Sequence, residues 1–334
     1  MRPQTAWLVV PALLGCASVP PQPRRIEAVE QSSGTPVLLI ALSAVDDRVV
    51  WASGAGGTFV RTVDGGDTWK AGTVKGAEHL QFRDVHAIDA NNAYLLSIGP
   101  ADSSRIYRTA DGGATWHLQI RNADPKGFYD CMAFWDPSHG IVVGDAFDDR
   151  IYIMQTTDGA HWERIRAQAP RALPDEGFFA ASGTCVITRP GGLAWAAAGT
   201  PGSRVMRTSD YGRTWSVDTV PVKQIASVSF RDDRNGIVFA WDSTAATATS
   251  RDGGATWTRG GRPPFPKGLY GGVYVPGTAA TVVTVGPGGL GWSPDEGRTW
   301  NVINNENYWS VTFASRNAGW AVGTKGRITK LTGF

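Results

Sequence analysis

Apolar and polar positions alternate most plainly in "YWSVTFASRNAGWAVGTKGRITKL" (308–331), which reads as an apolar strand, a turn, a second strand, a Gly-rich turn and a third strand. Comparable units begin near Ile40, Phe82, Tyr129, Ala181, Ile225, Leu269 and Tyr308. Seven such units without a helical period predict an all-β chain.

A short polar punctuation mark follows the third strand of six units. "TADGGATW" (109–116) recurs as "TVDGGDTW" (62–69), "TTDGAHW" (156–162), "TSDYGRTW" (208–215), "SRDGGATW" (250–257) and "SPDEGRTW" (293–300). The spacing, about 42 to 53 residues, falls in the range of propeller blades. In each copy an Asp accepts backbone N–H groups across a tight turn, a Gly supplies positive φ, and a Trp returns into an apolar layer. Six equivalent aspartates, Asp64, Asp111, Asp158, Asp210, Asp252 and Asp295, therefore read as structural. The third copy is one residue short, so its turn is expected to be tighter or to lack a usual hydrogen bond. The predicted fold is a seven-bladed β-propeller of four-stranded antiparallel blades. "RIEAVEQ" (25–31) is expected to supply the fourth strand of the last blade, which would otherwise stay three-stranded, and so to close the ring.

Composition excludes several classes. Lys and Arg total 32 against 30 Asp and Glu, too even to draw in nucleic acid or an anionic membrane surface. The sequence contains no G-x-G-x-x-G opening a βαβ unit, no CxxC, no haem-attachment motif and no histidine cluster, so neither a cofactor nor a metal is expected. The leader adds a destination. Arg2, the apolar run "AWLVVPALL" and "LLGC" ending at Cys16 resemble the lipobox of bacterial lipoproteins, an ordinary signal peptide being the alternative. On this reading residues 1–15 are a signal peptide, Cys16 is lipidated, 16–24 form a tether and 25–334 form the propeller. With Ala17 rather than Asp after the cysteine, the expected location is the periplasmic side of the outer membrane, touched only through the lipid anchor. The mature chain keeps Cys131 and Cys185 in consecutive blades. A disulfide suits an exported protein, but inner strands of neighbouring blades can also hold two Cα atoms too far apart.

The turn motif is the Asp-box, or BNR repeat, of sialidases and sortilin-type receptors. Beyond it, "FRDVHAIDANNAYLLSIGPADSSRIYRTADGGATW", "FWDPSHGIVVGDAFDDRIYIMQTTDG", "EGFFAASGTCV" and "NYWSVTFASRNAGWAVGTKGRI" resemble bacterial proteins related to the plant photosystem II stability and assembly factor. The resemblance covers the chain from about residue 36 to 334. It implies a propeller that binds a protein partner of the cell envelope. The label "oxidoreductase" carried by many such relatives finds no cofactor motif here.

By analogy with other propellers, a site is expected where the chain enters each innermost strand and where second and third strands join, opposite the Asp-boxes. Candidate binding residues there are Arg83, Asp84, Tyr129, Asp130, Asp145, Glu176, Ser182, Thr184, Tyr308 and Trp309, with Asp148 and Asp149 beside them. Acids, hydroxyls and aromatics at a channel mouth suit a peptide or a glycan. The same groups also serve to cap strand ends or hold water. The long connection 167–180, with Arg171, Asp175 and Glu176, is either functional or a stiffened insertion. No Arg-Ile-Pro signature of sialidases occurs. A glycosidase would instead need a carboxylate pair among Asp130, Asp145 and Glu176, its separation setting the stereochemistry.

Overall fold

A computed structural model describes residues 25–242, 244 and 246–334. The leader, Cys16 and the tether lie outside the described residues. The rest forms seven four-stranded antiparallel sheets, and helical structure among the described residues is limited to two short 3₁₀ turns at Ala101–Ser103 and Thr324–Gly326. In the last sheet Glu27–Ser32 runs antiparallel to Arg327–Thr332, with Glu27 opposite Thr332 and Ser32 opposite Arg327. The predicted closing strand is therefore in place.

Second strands such as Ala93–Ser97, Gly236–Ala240 and Val282–Gly286 are buried along their whole length, as strands covered on both faces must be. Seven apolar clusters lie between neighbouring blades. One joins Trp51 and Phe59 of the first blade to Phe82 and Leu95 of the second, and another joins Leu39 and Val50 to Trp320 and Ile328 of the seventh. The core is thus a ring of seven interfaces, each built by two blades.

The Asp-box aspartates spend their oxygens inside their own turns. Asp64 Oδ1 accepts from Thr62 Oγ1 at 2.7 Å and from the Thr68 amide at 2.9 Å, and Oδ2 accepts from Thr68 Oγ1 at 2.5 Å. The same bonds recur at Asp111, Asp210, Asp252 and Asp295. The Thr115 and Thr109 hydroxyls with the Thr115 amide hold Asp111 down at about 2. In the short third copy Asp158 Oδ1 caps the amides of Ala160 and His161, each at 2.8 Å, and His161 Nδ1 stands 2.6 Å from Oδ2. The turn is tighter, and a histidine fills the threonine's place.

Each blade is an antiparallel meander, so its turns alternate between the two faces of the ring. Asp-boxes occupy one face, and the starts of the innermost strands open on the other. On five innermost strands the pairing slips by one residue at that opening, between Leu39 and Ala41, Phe82 and Asp84, Tyr129 and Cys131, Ile225 and Ser227, and Tyr308 and Ser310. The unpaired residues are Ile40, Arg83, Asp130, Ala226 and Trp309. Such bulges re-aim one side chain out of the sheet.

Candidate functional site at the channel mouth

The fourth blade departs from the expected register. Its innermost strand, Val186–Arg189, begins five residues later than the unit start at Ala181. The residues between leave the sheet and cross the ring's axis. The Ser182 hydroxyl donates to the Tyr270 carbonyl of blade six at 2.9 Å, and the Ser182 carbonyl accepts from Ser310 of blade seven at 2.9 Å. A Cβ placed on Gly183 would lie 2.3 Å from Asp84 Oδ1 of blade two and 3.3 Å from Ala41 of blade one. Thr184 Oγ1 shares hydrogen bonds with Ser182 Oγ at 2.6 Å and with Ser227 Oγ of blade five at 2.7 Å. Cys185 is disulfide-bonded to Cys131 of blade three, the Cα atoms 5.8 Å apart. A segment touching all six other blades must lie on the axis, where it closes the channel.

Ser182 and Thr184 thus belong to this plug, as a hydroxyl chain running through it. Asp84 lies beside it, buried, its two oxygens accepting from the Val85 amide at 2.7 Å and the Met132 amide at 2.6 Å. Burial pushes this carboxyl well above the usual range against those two bonds. Below the plug, on the Asp-box side, a cavity of ≈ 230 Å³ is lined by Asp84, His86, Gly183, Thr188 and Thr312 among others. Desolvation lowers His86 there to about 4, so the imidazole is neutral near pH 7.

Above the plug the bulged residues converge. The Arg83 guanidinium sits 5.1 Å over the Trp309 ring, donates to the Ala180 carbonyl at 2.9 Å and is braced by Gln81 Oε1 at 2.9 and 3.1 Å. From Trp309 an aromatic arc continues to Tyr270 (5.0 Å, edge-on), to Phe179 (5.3 Å, tilted) and to Trp241 (4.8 Å, stacked at 4°). These four rings are half-buried. Asp130 completes the group. Buried, and beside the carboxyl of Asp145, it is raised well above the usual range first by desolvation and then by that neighbouring charge. Against these two effects, the charge of Arg83 lowers Asp130. Burial also raises Asp145, whose Oδ1 accepts from the Phe178 amide at 3.0 Å.

Other sequence candidates lie elsewhere. Tyr129 is fully buried, its ring 5.6 Å from Tyr152 in the cluster between blades two and three. Tyr308 is fully buried in the cluster of blades six and seven, where its hydroxyl meets Thr329 Oγ1 at 2.8 Å. Glu176 is buried and takes Arg204 on both oxygens, Nε to Oε1 at 2.7 Å, with the Leu173 amide on Oε2 at 2.8 Å. It clasps the long connection and offers no free oxygen to a ligand. Asp148 and Asp149 pair with Arg166 and Arg171 in exposed positions. Among the described residues, no three His, Cys, Asp or Glu side chains gather as a metal site would require.

The sequence reading missed Tyr270, Phe179 and Trp241. Tyr270 was within reach, because it follows its unit start, Leu269, as Arg83, Asp130 and Trp309 follow theirs. Phe179 and Trp241 carry no such mark, and they meet only because the fourth unit crosses the axis.

The class is thereby defined: an Asp-box propeller of seven blades with a closed axis and an aromatic mouth. No protein-family profile matches the chain. Among curated proteins it is 25% identical over 266 residues to a xyloglucanase of Paenibacillus sp., covering 66% of this chain and 26% of that one. It is 23% identical over 235 residues to the photosystem II assembly protein Ycf48 of Synechococcus sp. (strain JA-3-3Ab), covering 69% and 53%. The chain therefore spans about a quarter of the first relative and half of the second. Solved structures of the same fold include Ycf48 bound to a D1 peptide (TM-score 0.67, 19% identity, 92% and 96% covered) and Ycf48 from Cyanidioschyzon merolae (TM-score 0.70, 16% identity, 91% and 98% covered). A streptogramin B lyase shares the fold as well, at TM-score 0.70 and 10% identity, with 92% and 97% covered. The resemblance read from the sequence is matched by these comparisons: the chain is similar to Ycf48 over most of its length in sequence and shares its propeller fold.

Proposed function

We propose that this chain is an exported, lipid-anchored binding propeller of the cell envelope, without catalytic activity, that holds a segment of a protein partner across its mouth. The observation carrying the reading is the arc of Trp241, Phe179, Tyr270 and Trp309 ending at Arg83 above a closed axis. It offers area without depth. Aromatic side chains and arginine are the groups that anchor protein interfaces. The rings also cover parts of one another's faces, which leaves little flat surface for a sugar ring. A Ycf48 structure that holds a D1 peptide supports the same mode of action. The disulfide fits an oxidising compartment, and "LLGC" at Cys16 supplies the anchor.

The xyloglucanase relation favours a second reading, glycan binding or cleavage. Its weakness is geometric. Asp130 is buried among the mouth residues, and Asp145 Oδ1 is occupied by the Phe178 amide at 3.0 Å. Glu176, the other acid, is taken up by Arg204.

The test is cross-linking capture from the native envelope with the tagged full chain and a Trp241→Ala, Trp309→Ala variant. We expect a stoichiometric protein partner with the wild type, reduced at least about tenfold with the variant, as removal of two anchoring rings implies. Equal capture by both would remove the mouth from the interaction. Release of reducing sugar from xyloglucan oligosaccharides, abolished by Asp130→Asn, would replace binding with catalysis.

A further inference from the structure

The mouth is built on one segment, residues 176–185, held very differently at its two ends. At the first end, the buried Glu176–Arg204 pair and the bond from the Gly177 amide to the Thr200 carbonyl, 2.9 Å, fix the chain to blade four. From there the Phe178 amide holds Asp145, Phe179 stacks on Trp241, the Ala180 carbonyl receives Arg83, and Ser182 receives the hydroxyl of Ser310 while bonding Tyr270. Asp145, Trp241, Arg83 and Tyr270 of the mouth thus lean on this segment, and Trp309 leans on Arg83 and Tyr270.

Beyond Ala180 the segment has little apolar surface of its own. Its side chains are Ala181, Ser182, Gly183 and Thr184, and what it makes across the axis are a few hydrogen bonds, two of them joining Thr184 to Ser227 and Val228 of blade five, each contributing about 1 kcal/mol. The far end is held at Cys185, which is bonded to Cys131, 54 residues away in sequence, and whose carbonyl accepts from the Ala197 amide of its own blade at 2.8 Å; of these, the disulfide alone ties it to another blade covalently. Both cysteines are fully buried. A thiol reagent therefore reaches them only when this part of the chain opens.

We infer that oxidation assembles the mouth: the Cys131–Cys185 disulfide locks the axis-crossing segment in place, and the chain acquires its binding face only once that bond has formed. In the reverse direction a dithiol such as dithiothreitol supplies two electrons and two protons, leaving two cysteine thiols and its own cyclic disulfide. With the bond open, residues 181–184 are held to the axis by hydrogen bonds alone, and their departure takes the Ala180 carbonyl from Arg83 and Ser182 from Tyr270. Of the seven apolar interfaces, the one between blades three and four contains Cys131 and Cys185, and its other members, among them Ile141, Val143, Ile153 and Met206, hold it closed without the bond, so the ring itself persists. The inference concerns the same mouth as the proposed function but does not depend on any partner.

The experiment is amide hydrogen exchange on the purified full chain, followed by mass spectrometry, for the oxidised protein and for a Cys131→Ser, Cys185→Ser variant. In the variant, exchange across 178–185 is expected to rise at least about tenfold while the Asp-box peptide 250–257 stays protected, as a local rather than global opening requires. Unchanged protection of 178–185 in a folded, thiol-free variant would overturn the inference. Should that variant fail to fold, the folded wild-type protein is treated with dithiothreitol and the freed thiols are alkylated and counted. Exchange across 178–185 that rises in step with thiol release supports the lock. Two free thiols with unchanged exchange would show that the hydrogen bonds alone hold the segment.

Discussion

A single methyl group at position 183 would collide with the axis. Gly183 has φ +74, a conformation L side chains rarely adopt, and an added Cβ would stand 2.3 Å from Asp84 Oδ1. Asp84 cannot yield easily, because its carboxyl is buried and holds the amides of Val85 and Met132. Gly183→Ala is therefore expected to cost about 2–3 kcal/mol, combining backbone strain with displacement of a buried group. Urea unfolding measures it. A variant as stable as the wild type would mean that the segment does not pass Asp84 as described. At the neighbouring scale of one residue, bulges decide which side chains serve the mouth. Arg83, Asp130 and Trp309 are the unpaired residues of their strands, while Tyr129 and Tyr308, one position earlier, turn into the core.

The Asp-box turn shows how an element tolerates change when its bonds are local. In the fourth and sixth copies Tyr211 and Glu296 occupy left-handed positions, φ 60 and 58, where other copies have glycine. Each side chain is put to use: Tyr211 packs 5.3 Å from Trp135, and Glu296 is buried in pairs with Arg231 and Arg251 of blade five. The third copy replaces its threonine by His161, whose pKa is raised by the hydrogen bond to Asp158 and then by that residue's charge. A raised histidine contributes stability that is fully present below its unfolded value, about 6.5, and is lost as pH rises through the folded value. NMR titration should therefore place His161 above the ordinary histidine value, and Asp158→Asn should return it toward that value. A His161 that titrates normally in the wild type would disprove the pairing. The six copies were legible in the sequence because each satisfies its own donors and acceptors within eight residues. The mouth was legible only in part. Arg83, Asp130 and Trp309 follow unit starts, but the choice between Tyr308 and Trp309 rests on a one-residue slip in pairing that no local pattern marks. Phe179 and Trp241 come together through a crossing of the axis, a relation between the fourth unit and all the others.

For the whole molecule, stability depends on closing the ring, and one short strand does this. Glu27–Ser32 is mostly exposed, so its contribution is the ladder to Arg327–Thr332 and the contacts it makes across the seam. Gln31 accepts from the Trp69 indole at 3.1 Å, tying the last blade to the first Asp-box. Ile26, just before the strand, packs with Trp292 and Phe334 at the joint of blades six and seven. Without these residues the strand Arg327–Thr332 would present an unpaired edge, the template that sheets otherwise hide. A chain beginning at residue 33 loses six ladder positions, roughly 3–6 kcal/mol at about 1 kcal/mol for each hydrogen bond. For a domain of this size that corresponds to a Tm lower by about 5–10 °C. Light scattering should also detect concentration-dependent association through the open edge. A synthetic peptide spanning residues 25–32 should restore both properties in trans, since pairing by addition of a strand needs only the ladder and the Gln31 bond. If the shortened chain keeps its Tm and stays monomeric, blade seven is stable with three strands and the seam is held by apolar packing alone.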